Sequence, residues 1–217
     1  MAAHGTAVGQ KPGLSNGMLG FILFAASEVM FFGGLFAAYF IARADAGQWP
    51  PTDVLKKLQE SGVSGEHVKL ELELWLPLIA TVVLVVSSVT MQLGVWAIQK
   101  GNRSGLVKWL TISLVLGLVF LVMQMYDYSQ LEFSSRDTIF GTTFFTLTGF
   151  HGAHVAGGAI FIFVVLMRSM GGQFSASNHE AVEACSFYWH FVDVVWIALF
   201  SILYLVPVIA GRHYVIT

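Results

Sequence analysis

The sequence predicts an all-α fold, a polytopic membrane helix bundle with five transmembrane helices, and three observations predict it. Of 217 residues, 56% are apolar and only 11% are charged, against about 25% charged in soluble domains. The mean hydropathy is +0.72. The apolar residues gather into five runs, about 17–42, 74–98, 106–126, 138–167 and 181–209, each long enough for the roughly 20 residues a helix needs to cross a bilayer. Residues 1–16 read as a polar tail and 17–217 as a single membrane domain. Glycine (22) and phenylalanine (18) are frequent, as expected where helices pack closely in lipid.

The first run follows a Gly-rich tail with one basic residue and is longer than a signal-peptide core, so it reads as an anchor. Trp49-Pro50-Pro51 stops it, and the long loop from Arg43 to Glu73 carries a charged stretch, Asp53 to Glu73, with the composition of a short surface helix. The later runs are joined by tight turns, marked by Lys100-Gly101-Asn102-Arg103, Ser134-Ser135-Arg136-Asp137 and Gly171-Gly172. There is no repeat or low-complexity segment.

Five crossings put the termini on opposite sides. One side would hold Lys11, Lys100, Arg103, Lys108 and Arg168; the other Arg43, Lys56, Lys57, Lys69, Arg136 and Arg212. The counts nearly tie, but Lys100, Arg103 and Lys108 crowd one short turn, whereas Lys56 to Lys69 sit among acids in the long loop. The positive-inside rule then favours a cytoplasmic N-terminus and an external C-terminus. A net charge of -2 over short loops argues against a nucleic-acid partner. The single Cys185 excludes an internal disulfide and every Cys-pair motif for zinc, iron–sulfur or dinuclear copper.

The informative residues are ionisable groups that lipid rejects, at about 2.5 kcal/mol or more for a central charge. Glu28 stands about 16 Å along the first helix, so it faces protein or is neutral, hydrogen-bonded to a neighbouring helix. A satisfied structural carboxyl is the plain reading, and a proton-handling or gating role the alternative. His151 and His154 lie three apart on one helical face, amid glycines that suggest tight packing. Interhelical hydrogen bonding is preferred there over metal ligation, which wants a third ligand, or over a cofactor or lipid contact. Glu183, His190 and Asp193 share a face, where a carboxylate beside an imidazole serves a static lock or a proton relay. Gln124, Asp127 and Tyr128 read as an interfacial polar cap, and Arg168 as a headgroup ligand. Bis-His haem ligation needs matched histidines on facing helices, and only His151, His154 and His190 lie well inside the runs. Neither a nucleotide-binding glycine loop nor an array of histidine boxes occurs. No catalytic residue and no metal ligand set is expected.

At these residues the chain resembles subunit III of haem-copper oxidases, the cytochrome c oxidases and related quinol oxidases. The resemblance is carried by RDTIFGTTFFTLTGFHGAHVAGG from Arg136 to Gly158 and SNHEAVEACSFYWHFVDVVWIALF from Ser177 to Phe200. SEVMFF around Glu28, WPPT at Trp49 to Thr52 and the stretch Gln124 to Tyr128 follow the same order. The resemblance implies an accessory subunit docked on catalytic subunit I, with subunit II and membrane phospholipids as further partners and a larger respiratory supercomplex as a wider setting. It implies no haem or copper of its own, these residing in the partner subunits, and bound phospholipid in a cleft.

It further implies support of proton uptake, an oxygen path toward subunit I and protection from inactivation during reduction of O2 to water. Glu28 looks like the family's intramembrane glutamate, Arg168 and Glu183 resemble positions near bound lipid, and His151, His154, His190 and Asp193 resemble packing and hydrogen-bonding positions. The stretch Tyr188 to Asp193 leans toward cytochrome c as donor, with a quinol oxidase as the alternative, and a self-contained proton pathway is the reading from another class. The common family form has seven helices, so the five-helix form lacks one wall of the lipid cleft and favours a bacterial plasma membrane. Asp127 stands where the family pattern has glutamate.

Overall fold

The computed structural model describes residues 16–46, 49, 74–131, 135–136 and 138–206. The polar tail before Asn16, the charged stretch after Asp53 and the end of the last apolar run lie outside the described residues. Five helices form: α1 (Asn16–Asp45), α2 (Trp75–Gln99), α3 (Arg103–Gln130), α4 (Ile139–Met170) and α5 (Glu180–Phe200), the last continued by a π-helical turn, Ser201–Leu205. All five are long and apolar enough to cross a membrane, and the described residues contain no strand.

Helix ends follow from local chemistry. Asn102 Oδ1 accepts the Gly105 N–H at 2.9 Å and Thr138 Oγ1 accepts the Gly141 N–H at 2.9 Å, so both helices start on a side-chain cap. The Asn102 cap makes α3 begin at Arg103 rather than at the first apolar residue, Leu106, and the helix runs on to Gln130, past Tyr126. Gly101 and Gly172 take left-handed backbone, φ 75° and 72°, and terminate α2 and α4. In both turns the amide beyond the glycine reaches back five residues, Asn102 N–H to Ala97 O and Gln173 N–H to Arg168 O, closing the terminal carbonyls.

α2, α3, α4 and α5 form a closed ring of antiparallel neighbours, and α1 lies outside it along the α4–α5 seam. The core is apolar and aromatic, with Leu84, Met91, Leu110, Phe120, Phe144 and Trp189 fully enclosed. α1 turns only Ala25, Phe32 and Tyr39 fully inward. Its other faces carry Leu23, 63% exposed, and Met30, 78% exposed. Comparable apolar faces on α2 (Val82, Val89), α3 (Val122, Met125) and α4 (Ile160) are open, which a hydrocarbon solvent tolerates and water does not.

Candidate functional site

The polar side chains inside the bundle form four groups. The first spans α1 and α4, where His154 Nε2 stands 2.8 Å from Glu28 Oε2. His154 Nδ1 stands 2.7 Å from the Phe150 carbonyl, which can only accept, so Nδ1 carries a hydrogen. The short Nε2···Oε2 contact therefore contains a further proton, as a neutral carboxylic acid donating to imidazole or as an imidazolium donating to carboxylate. Either way the pair is electrically neutral, which suits its mid-helix depth. Phe31 and Phe32 flank the imidazole, and the Tyr188 hydroxyl donates to the His154 carbonyl at 3.2 Å.

The second group lies between α2 and α5. Ser88 Oγ and His190 Nδ1 are 2.7 Å apart, while His190 Nε2 lies 3.3 Å from Gln92 Oε1 and 3.2 Å from Ser186 Oγ. With Gln92 Oε1 accepting from Nε2–H, Nδ1 is the lone pair and Ser88 donates to it. Asp193, one turn on, is buried against the Ser88 side chain and makes no bond to His190. The expected pairing of Asp193 with His190 is thus not made: the turn between them carries Asp193 into the core while His190 faces the α2 groove. Glu183 sits a further two turns back, accepting from Gln99 Nε2 at 3.1 Å and lying 3.2 Å from His179 Nε2.

His151 also departs from expectation. Instead of bonding across helices it is fully buried, stacked on Trp196 with centroids 5.0 Å apart and edge-on to Phe120, and neither ring nitrogen has a partner. Three residues rotate a helix by about 300°, so His154 turns to α1 and His151 to the ring interior. Arg168 is exposed, its Nε donating to Gln173 Oε1 at 2.9 Å and its guanidinium lying over Phe174.

Two further groups lie away from the intramembrane acids and histidines, and the first corrects the reading of Gln124 and Tyr128. Gln124 is buried, not an interfacial cap. Its Nε2 donates to the Thr148 carbonyl at 2.8 Å and to the Tyr128 hydroxyl, which donates to Thr148 Oγ1 at 2.7 Å. Ser87 accepts the Trp189 indole N–H at 2.8 Å, next to a Thr90–Ser113 hydroxyl pair at 2.7 Å. The only signal for this last group was three hydroxyls, Ser87, Ser88 and Thr90, in an otherwise aliphatic run. Among the described residues no three His, Cys, Asp or Glu side chains converge as a metal ligand set.

Five helices long and apolar enough to cross a bilayer, several of whose interior polar side chains bond to a neighbouring helix, define a multi-pass membrane protein. The model of the family "Cytochrome c oxidase subunit III" matches residues 1–208. The chain is 42% identical over 189 residues to cytochrome c oxidase subunit 3 of Synechocystis, covering 87% of this chain and 75% of that protein. It is 42% identical over 192 residues to the probable subunit 3 of Nocardia farcinica, covering 87% of each. With Thermostichus vulcanus subunit 3 the identity is 40%, over 87% of this chain and 86% of that one. The chain belongs to the cytochrome c oxidase subunit III family, and is thereby a component of a multisubunit oxidase complex.

Proposed function

We propose that the chain is the non-redox subunit of a proton-pumping terminal oxidase in a bacterial plasma membrane, stabilising catalytic subunit I and sustaining its proton uptake. The observation that carries this reading is the α1 seam. Glu28 and His154 are 20% and 16% exposed at the flank of a helix that uses one face against the bundle and leaves the others bare. A costly neutral pair at an open seam suits a surface that a partner subunit covers. Haem and copper belong to subunits I and II in this reading. In support, His154 and His190 have both nitrogens engaged, and His151 is packed against the rings of Phe120 and Trp196. Cytochrome c is the donor, and phospholipid occupies the faces near Arg168 and Glu183, where it keeps an oxygen route to subunit I open. Membership of a larger respiratory assembly belongs to the same proposal.

The test is the oxidase purified with and without this chain. Haem and copper spectra should be unchanged by its removal, while proton uptake slows and activity decays over repeated turnover. A spectrum that loses a haem or copper signature with the chain would overturn the reading. A second reading rests on the polar line from His179 and Glu183 through Ser186, His190 and Ser88 to Asp193, which suits a proton pathway within the chain itself. Liposomes containing only this chain decide it: flux no greater than protein-free vesicles ends that reading.

A further inference from the structure

The outer groove between α2 and α5 has a polar floor and apolar banks. Ser88, Gln92 and His190 line the floor, and Gln92 and His190 are only half-buried. The banks are Val89 and Trp96 on α2 and Phe187 and Val194 on α5, all exposed. Ser88 donates to His190 Nδ1, and His190 Nε2–H donates to Gln92 Oε1. That occupies one polar atom of the Gln92 amide. The other, Nε2 with its two hydrogens, has no partner among the described residues. Ser27 and Thr111 also face outward, but each donates to a carbonyl of its own helix. The Gln92 amide is turned instead to His190 on the neighbouring helix, which leaves its hydrogens on the open side.

Depth decides what can accept them. α2 has 25 residues, about 37 Å of helix against a hydrocarbon core of about 30 Å. Gln92 lies about 10 Å before the end of α2 at Gln99, so with α2 centred in the bilayer it sits about 7 Å inside the hydrocarbon. The ester and headgroup oxygens of phospholipids lie outside that core, and a lipid there offers methylene only. An unspent amide in such a solvent is strongly disfavoured. A membrane-spanning helix carries polar side chains to this depth and finds apolar banks to pack on.

We propose that the α2–α5 groove is a docking surface for a transmembrane helix of another oxidase subunit, one that turns a carboxamide or hydroxyl oxygen toward Gln92. The apolar banks take its aliphatic side chains, and the amide fixes its register, as a single polar position does between packed helices. α1 packs on the α4–α5 side of α5, so this is a second interface, separate from the Glu28–His154 seam.

The purified oxidase complex tests it with the photo-crosslinker p-benzoylphenylalanine placed at Val89 and, separately, at Val194. Irradiation should join both positions to one membrane-spanning segment of the same partner subunit, identified by peptide mass. Adducts with lipid or a small bilayer-soluble molecule alone, or with a second copy of this chain, overturn the proposal. Gln92→Leu should release the crosslinked subunit about 3- to 20-fold faster in mild detergent, the range of one interhelical hydrogen bond in a membrane. If that variant does not assemble, Gln92→Met keeps the length of the side chain and should show the same loss. An unchanged release rate means that apolar contact alone holds the segment, and that too overturns the proposal.

Discussion

A Cβ added to Gly117 or Gly158 would stand 2.6 or 2.8 Å from atoms of the Trp189 ring. The ring is fully buried and anchored by its indole N–H on Ser87 Oγ, so it cannot swing aside. Gly117→Ala and Gly158→Ala should each destabilise the subunit by about 1–3 kcal/mol through overpacking, measured as a lower midpoint for heat dissociation of this chain from the oxidase. Trp189→Phe in the Gly158→Ala background should recover part of the loss, because the clash and the ring are coupled. The Glu28–His154 pair makes a different prediction. In Glu28→Gln the amide N–H still donates to His154 Nε2, so assembly should match the native subunit. Glu28→Leu strands that nitrogen, and an unsatisfied buried acceptor costs about 1–3 kcal/mol. A Glu28→Gln oxidase that assembles normally but takes up protons slowly would instead assign the pair a proton-handling role.

At the scale of helices, α1 stands apart: it packs only along the α4–α5 seam, through Phe32, Tyr39 and the Glu28–His154 bond, while α2 to α5 enclose one another. Opening α1 exposes little buried surface, so in detergent the isolated chain should show amide exchange fastest in α1, by peptide-level mass spectrometry. The same amides should become protected in the assembled oxidase if a partner covers that helix. The helices were legible in the sequence because lipid forces every backbone group to be satisfied within its own segment, leaving long apolar runs as the readable result.

The site was legible only in part. Lipid's rejection of charge marked Glu28 as needing a neighbour, but its partner stands 126 positions away, a relation between helices that no local pattern encodes. Spacing placed His151 and His154 on one face, yet they sit on either side of a seam, and the difference of about 60° sends them to different neighbours. Gln124 looked interfacial because the apolar run stops near Tyr126; α3 itself continues to Gln130, which leaves Gln124 a turn and a half inside.

For the whole molecule, orientation follows from which turns share an end. Arg103 Nη1 approaches Gly172, which puts the α2–α3 and α4–α5 turns together. Trp49 packs edge to face on both Tyr39 and Phe140, with centroids 5.5 Å apart in each contact, which puts the end of α1 with the start of α4 at the opposite pole. The first pole holds Lys100, Arg103, Lys108 and Arg168 at or near the helix ends, so the positive-inside rule predicts that this pole faces the cytoplasm. The chain offers a clean background for checking this, because its one thiol, Cys185, is 1% exposed and sheltered from reagent. Ser104→Cys and Ser177→Cys lie exposed at the first pole and Ser135→Cys at the second. With a membrane-impermeant maleimide on intact cells, Ser135→Cys should label and the other two should label only after the membrane is opened. The reverse pattern would invert the topology and place the Glu183–His179 end of the α2–α5 polar line outside. Any proton carried along that line would then enter from the external face.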